Sequence, residues 1–451
     1  MGLSKTVAEF IVSLDEERIP PDVLEKARTC LLNGYGIGLG CHQTPFAPVA
    51  RRAAISIGGI VADGGATMLG DDRKTTIAGA ALANSALFHG RGQEDTCGAA
   101  HFGAILIPLL TAMVEARAYP VAQLLPALVA GYEAGGLFEK AYSPRTTPAG
   151  LRASALYGAV AAAAGAAKLM DLSVEQTAAA LSNAAAFTGG ILQTFDDGTD
   201  EWRYQVGVAG NLGLIAAELA RGGSVSAPHA FEGRNGFVRA YARTECEVGE
   251  LAARLGNDWS THRVTFKPYP VCAFNQTPVT AALQLRERIK DHEVAHVRVR
   301  MNPYETGYAG MDSKGPFDTL SGTLMSIPFC IANTLLNGTP TVQNMTVYDD
   351  PTVNALIKRI DLVPDEGVER LCCIIEAKLA NGDTVAQDQQ MTVADYAYDR
   401  ATASALVRRV GAETGVPSRV YDRLEAFVDN PANGGIAEVV ACFNELPRAP
   451  A

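Results

Sequence analysis

Thirteen residues, His89-Gly90-Arg91-Gly92-Gln93-Glu94-Asp95-Thr96-Cys97-Gly98-Ala99-Ala100-His101, carry two histidines, two carboxylates, an arginine, a thiol and three glycines. Histidine has an ordinary pKa near neutrality, and a carboxylate beside it can fix its tautomer, so the set suits general acid–base chemistry. Apolar segments flank it, Gly79 to Phe88 before and Phe102 to Val114 after. A polar, glycine-broken loop between two apolar helices is where a scaffold can hold reactive side chains against a cavity. The competing reading is an ordinary loop with solvated charges. The density of reactive types favours the first.

Four other stretches offer site material. Pro148-Ala149-Gly150-Leu151-Arg152 places Arg152 at the mouth of an alanine-rich helix, where a cation would reinforce anion binding by free amide groups. A solvated loop arginine is the equal alternative. Asp196 to Gln205 is acidic but lacks the ligand alternation of a calcium loop, and reads as a loop presenting Trp202, Arg203 and Tyr204 ahead of a helix. In Lys267-Pro268-Tyr269-Pro270-Val271-Cys272-Ala273-Phe274-Asn275-Gln276, two prolines stiffen the exit from a strand and hold Lys267, Cys272 and Gln276 in place. Lys267 could activate the Cys272 thiol, but a buried structural cysteine is the favoured reading. Ser326-Ile327-Pro328-Phe329-Cys330 reads as core on its own. No Walker loop, Ser-His-Asp signature or zinc spacing is present, so neither a metal nor a cofactor is expected.

A net charge of −11 argues against a nucleic-acid or anionic-membrane partner, so an anionic substrate must be met by local arginines and lysines. Hydrophobic residues make up 48% and charged residues 19%, a globular balance. Nine scattered cysteines fit reduced thiols and a cytoplasmic setting. No signal peptide is read at the start, and the run Ala159 to Ala167 is too short to span a bilayer.

To position these residues, helical patterns run almost unbroken from Ser4 to about Ser260. They include Pro21 to Leu39, Thr76 to Phe88, Ala104 to Ala116, Val121 to Ala141, Ser154 to Met170, a capped helix from Ser173 to Ala186, and Gln205 to Gly222. Pro144 to Pro148 reads as a break. Gly34, Gly36, Gly38 and Gly40 lack dinucleotide-loop spacing and suggest close helix packing. Near Thr261 the texture changes. Val264 to Tyr269 and Val294 to Met301 alternate as strands, Pro278 to Lys290 and Leu320 to Leu336 are helical, and Thr352 to Ile360 is a short helix. Leu371 to Met391 reads as a hairpin around Asn381-Gly382-Asp383. Helical patterns return from Asp395. The expected fold is mostly α: an all-helical domain from residues 1–262 and 395–451, with an α+β domain, 263–394, inserted.

These stretches, in this order, resemble the MmgE/PrpD family across nearly the whole chain. The marks are Asn84 with His89, Asp95-Thr96 with His101 and Gly103, Gly158 with the helix to Lys168-Leu169, Glu232-Gly233-Arg234, Lys267-Pro268-Tyr269-Pro270 with Cys272, and Ser326-Ile327-Pro328-Phe329 with Asn337-Gly338. The resemblance implies a homodimer, an inserted domain resembling chorismate mutase, and a site between the domains without metal or cofactor. It also implies proton transfer next to a carboxylate of a small di- or tricarboxylate. Departures accompany it. Where lyases of the family usually carry a histidine before the alanine-rich helix, this chain has Arg152. Their lysine and histidine fall at Trp202 and Gln205, with Arg203 between. A further histidine falls at Gln276, their tyrosine at Phe329, and an aspartate at Gly92.

The resulting expectation is a cofactor-independent enzyme. His101 is its general base or acid, Asp95 orients the imidazole, Thr96 bonds the substrate, and Tyr204 is a second proton donor. Arg152, Arg203 and Lys267 hold carboxylates and the developing enediolate charge. Trp202, Gln205, Cys272, Gln276 and Phe329 complete the substrate lining. Hydration, dehydration or decarboxylation leads. Epimerisation is the first alternative, and a non-catalytic protein for a less polar ligand is the second.

Overall fold

The computed structural model describes residues 2–447 except Asp291 and Asn433. Met1 and residues 448–451 of the expected helical domain lie outside them. The fold is mostly α, with one small α+β part. Two apolar cores organise it. The first gathers helices from both ends of the chain, from Leu3 to Phe266 and again from Leu406 to Phe443. The second draws on residues from Val271 to Leu379, joined by Phe46, Leu192, Phe195 and Trp202 reaching across from the helical part.

The return of the C-terminal helices is built on small residues. A side chain at Gly36 would collide with Val407, and one at Gly40 with Val410, so the Arg400–Glu413 helix lies close along Pro21–Gly40. The helix Ala153–Leu169 is buried along almost its whole length, with its alanines letting neighbouring helices approach. Helix Leu124–Thr146 runs through Pro144, where the sequence suggested a break. The proline falls in the last turn, where its missing N–H costs the helix a single bond, and Thr146 Oγ1 adds a bond to the Tyr142 carbonyl. One segment, 121–146, is long and apolar enough to cross a membrane by composition, but most of it is packed inside the protein.

In the smaller part, Val294–Met301 forms the sheet with Val297, Val299 and Met301 inward, as its alternation suggested. The strand order is Ile360–Pro364, Val294–Met301, Cys373–Leu379, Thr384–Gln389. The first pair is parallel and the other two are antiparallel. The parallel pair needs a crossover, which the intervening helices supply. Ile360 was expected as the last residue of a helix; it opens the strand Ile360–Pro364 instead. This is an edge strand, the place in a sheet where Pro364 is tolerated. The apolar run 320–336 is two helices, Leu320–Met325 and Ile327–Asn337. Ser326 breaks it: its hydroxyl accepts from the Phe329 N–H at 3.0 Å, and Pro328 sits in the new first turn. The Val264 to Tyr269 strand shrinks to Val264–Thr265, because Pro268 and Pro270 cannot extend a ladder.

Removing the Ser326 cap (Ser326→Ala) is expected to lower stability by about 1 kcal/mol. Urea unfolding followed by circular dichroism checks this.

Candidate active site

The polar loop after helix Ile77–Phe88 is buried, not solvated. His89, Arg91, Gln93, Glu94 and Asp95 are each 2% exposed or less. It turns at Gly92, whose φ of 62° lies in the left-handed region, and a two-residue ribbon then pairs Thr96 with Thr265 and Cys97 with Val264. That ribbon carries Lys267 to the loop. Its ammonium donates to the Gly92 carbonyl at 2.6 Å and lies 3.5 Å from Glu94 Oε1.

Glu94 is the centre of the cluster. Its Oε1 lies 2.7 Å from His101 Nδ1 and 2.9 Å from His89 Nδ1, at off-line angles. Burial pushes the Glu94 carboxyl up, but His89, Lys267 and His101 together outweigh burial and hold it well below the carboxylate range. On the far side of His89, Nε2 accepts from Arg152 Nη2 at 2.7 Å. Arginine only donates, so His89 is protonated at Nδ1. Trp202 meets the same ring edge-on at 4.5 Å between centroids. His101 Nδ1 donates to the Asp95 carbonyl at 3.1 Å, and the His101 N–H donates to Ser154 Oγ at 3.0 Å. Both contacts fix the ring and leave its Nε2 lone pair free. Burial first and the Lys267 charge second lower the His101 pKa below its ordinary 6.5.

His101 lines a cavity of about 70 Å³ with Thr96, Trp202, Lys267, Cys272 and Tyr308. Burial raises the Cys272 thiol and the Tyr308 phenol, so both are protonated at neutral pH. His89, Glu94 and His101 bring three ligand-type atoms within 4.8 Å of one another. They do not fit a cation. Both Nδ1 atoms carry the ring proton, so neither presents a lone pair, and Lys267 already balances the one anion.

Of the residues singled out from sequence, Thr96, His101, Trp202, Lys267 and Cys272 line this cavity. The rest do not. Asp95 turns its carboxylate away to the Tyr132 hydroxyl, so Glu94 supplies the carboxylate beside His101, while Asp95 contributes its main-chain carbonyl. Burial raises the Asp95 carboxyl to about 7. Arg152 acts behind His89, bound also to the Trp202 carbonyl and to Gln205 Oε1 at 3.1 Å. Arg203 is fully buried between Phe46 and Trp202, where it bonds Gly90 O, Asp200 and Ser321. It ties the two parts together and does not line the cavity at His101. Trp202, Arg203 and Tyr204 lie in the first turn of helix Glu201–Arg221, not in a loop, and Tyr204 faces Asp200 and Arg52 instead of the cavity. Gln276 is spent on the Tyr269, Val271 and Cys272 backbone. Phe329 packs on Phe317 within the second core. Glu94, His89 and Tyr308 were not singled out as site residues. Adjacency of Glu94 to Asp95, and of His89 to the loop start, was the available signal for two of them.

The chain matches the MmgE/PrpD N-terminal domain over residues 5–247 and the MmgE/PrpD C-terminal domain over residues 269–405. It belongs to the MmgE/PrpD family. A cis-aconitate decarboxylase from Aspergillus terreus is 24% identical over 371 residues, covering 77% of this chain and 75% of the relative. A cis-aconitate decarboxylase-like protein, oryM, from Aspergillus oryzae is 29% identical over 282 residues, covering 59% of this chain and 58% of the relative.

The hydrogen bonds around the two rings set a spectroscopic expectation. Nitrogen-15 NMR of histidine-labelled protein at pH 7 should show His89 and His101 neutral and protonated on Nδ1. A charged ring at either position would contradict the tautomers assigned from Arg152 and Asp95.

Proposed function

We propose that the chain is a cofactor-independent lyase, of the dehydratase or decarboxylase kind, acting next to a carboxylate of a small di- or tricarboxylate. One observation carries this reading: a neutral His101, with its Nδ1 committed to the Asp95 carbonyl, lines a cavity that Lys267 also lines. The family and the two decarboxylase-named relatives support the same class.

In the proposed reaction, Lys267 and the Thr96 hydroxyl receive the substrate carboxylate. His101 Nε2 takes the proton from the adjacent carbon, and the C–H electrons move into an enediolate held by Lys267. Glu94 stabilises the imidazolium formed, much as a buried carboxylate does in other histidine bases. Elimination then expels a leaving group from the next carbon, with Tyr308 as the proton donor. Decarboxylation dispenses with the abstraction: the C–C electrons stay on the carbon as carbon dioxide departs, and Tyr308 gives that carbon its proton. Tyr308 also supports the second reading. A donor on a different wall from His101 could reprotonate the opposite face, which is epimerisation. A non-catalytic binding protein is the remaining alternative.

The proposal keeps residues 1–262 with 395–451 as one unit and 263–394 as its insert, in a cytoplasmic setting. The cysteines support that setting, since all nine are unpaired. It also includes pairing of two copies. An apolar row on helix Glu201–Arg221, Val208, Ile215 and Leu219, is 48%, 48% and 45% exposed and supports a covered face.

Proton NMR in D₂O with citrate, methylcitrate, cis-aconitate and iminodisuccinate tests the chemistry. Deuterium should enter next to a carboxylate, and His101→Ala should slow this by roughly 10²–10⁴-fold. Absence of exchange from folded protein would favour the binding-protein reading. The rate should be lost on the acid side only below pH 6.5, because burial and Lys267 lower the His101 pKa. Lys267→Met removes one lowering charge, so the acid limb should move to higher pH as well as the rate falling. Sedimentation velocity tests pairing: a dimer is expected for the native chain and a monomer for Ile215→Glu.

A further inference from the structure

The cavity at His101 is too small for the substrates just considered. At about 70 Å³ it holds the volume of roughly two waters. It is not closed. Thr96, Gly98, Ala99, Lys267, Ala273 and Phe274 also line a second chamber of about 360 Å³. That volume falls in the range of small-molecule sites, about 300–1,000 Å³.

The second chamber has few free charges. Away from Lys267 its walls are Phe266, Phe274, Leu371, Val393 and Tyr396, with Tyr304 beyond. Glu139 and Arg263 face each other at 3.2 Å and neutralise one another. Arg370 lies flat on the Tyr304 ring, 3.6 Å from its centroid. Glu305 is buried, with one oxygen accepting the Leu371 N–H at 2.9 Å and the other unpartnered. Burial raises its pKa to about 7, which favours the uncharged acid. Lys267 stands at the inner end, Arg370 and the Glu305 carboxyl stand in the wall, and the surface between them is mostly apolar.

Leu371 adds an independent observation. Its φ is 63°, a left-handed conformation that a leucine rarely adopts. The strain is held from both sides. Glu305 accepts its N–H, and its carbonyl accepts the Thr277 hydroxyl at 2.9 Å. Backbone strain maintained by two buried partners is a mark of a functional position. Here it fixes an apolar side chain in the chamber wall.

We propose that the substrate is a carboxylic acid bearing an extended apolar substituent, with its carboxylate at Lys267 and its substituent in the chamber lined by Phe266, Phe274 and Leu371. This rests on the proton-transfer reading for where the carboxylate sits, and it specifies the substrate class. It differs from a purely polar di- or tricarboxylate, for which the chamber would be a poor match.

Isothermal titration of the full chain with succinate, 2-butylsuccinate and 2-octylsuccinate reads the chamber without requiring turnover. Affinity should rise by about fourfold per methylene until the chamber is full. Leu371→Asn should remove at least tenfold of the octyl gain. Asparagine accepts left-handed backbone readily, so this variant should melt no lower than the native protein. A flat series from succinate to octyl would overturn the proposal. So would a gain undiminished in Leu371→Asn, which would mark adsorption outside the chamber. The two readings separate cleanly. Chain-length gain without deuterium exchange keeps the chamber and removes the proton-transfer chemistry. Exchange on small acids with a flat series does the reverse.

Discussion

One buried anion governs the site. Glu94 sits with its oxygen within 3.5 Å of Lys267 and within 2.9 Å of two imidazoles. An isolated carboxylate in such a place would protonate, and an isolated ammonium would lose its proton. With Lys267 and the two imidazoles around it Glu94 is held as the anion, and breaking such a buried pair costs about 3–5 kcal/mol. The pair also sets the character of the histidines. Burial is the first cause that lowers both imidazoles, opposed by the Glu94 charge, and Lys267 adds to the lowering at His101. On the proposed reading, a neutral base beside an anion is prepared for the positive charge of its protonated form.

The rest of the neighbourhood exists to keep a polar loop dry. Arg91 reaches Glu413 in the C-terminal part, Gln93 donates to the Pro268 carbonyl, and Arg203 donates to Gly90 O. Each contact satisfies a group that burial would otherwise leave unpaired. Arginines that look like anion receptors in the sequence are largely engaged in this way. Arg152 sets the tautomer of His89, and Arg203 bridges the two parts through Trp202, Phe46 and Ser321. Lysine is left as the charged group that lines the cavity beside His101. Its single flexible ammonium suits a small carboxylate whose position changes during reaction.

Much of the helical architecture was legible because helix periodicity and caps are local. The Ser173–Gln176 capping box and the alternation of Val294–Met301 needed no tertiary knowledge. The split at Ser326 was hidden, since an apolar run looks continuous unless a serine followed by a proline two residues on is read as a start signal. The edge strand at Ile360 was absorbed into the preceding helix. At the site, residue type located Thr96, His101, Trp202, Lys267 and Cys272. It could not decide which of Glu94 and Asp95 points inward, because neighbouring residues in an extended segment face opposite ways. Nor could it find Tyr308, which lies outside any motif and reaches the cavity only through tertiary packing. Phe329 shows the converse error. A residue in a recognisable stretch was turned into the core by the helix that carries it.

The two-residue ribbon that joins Thr96 to Thr265 links positions 169 apart in the chain. Closing so long a loop has an entropic cost that few hydrogen bonds offset. Lys267 follows this ribbon directly, so its place beside Glu94 depends on a contact between distant parts of the chain and on no local element: the cavity is a product of the whole fold.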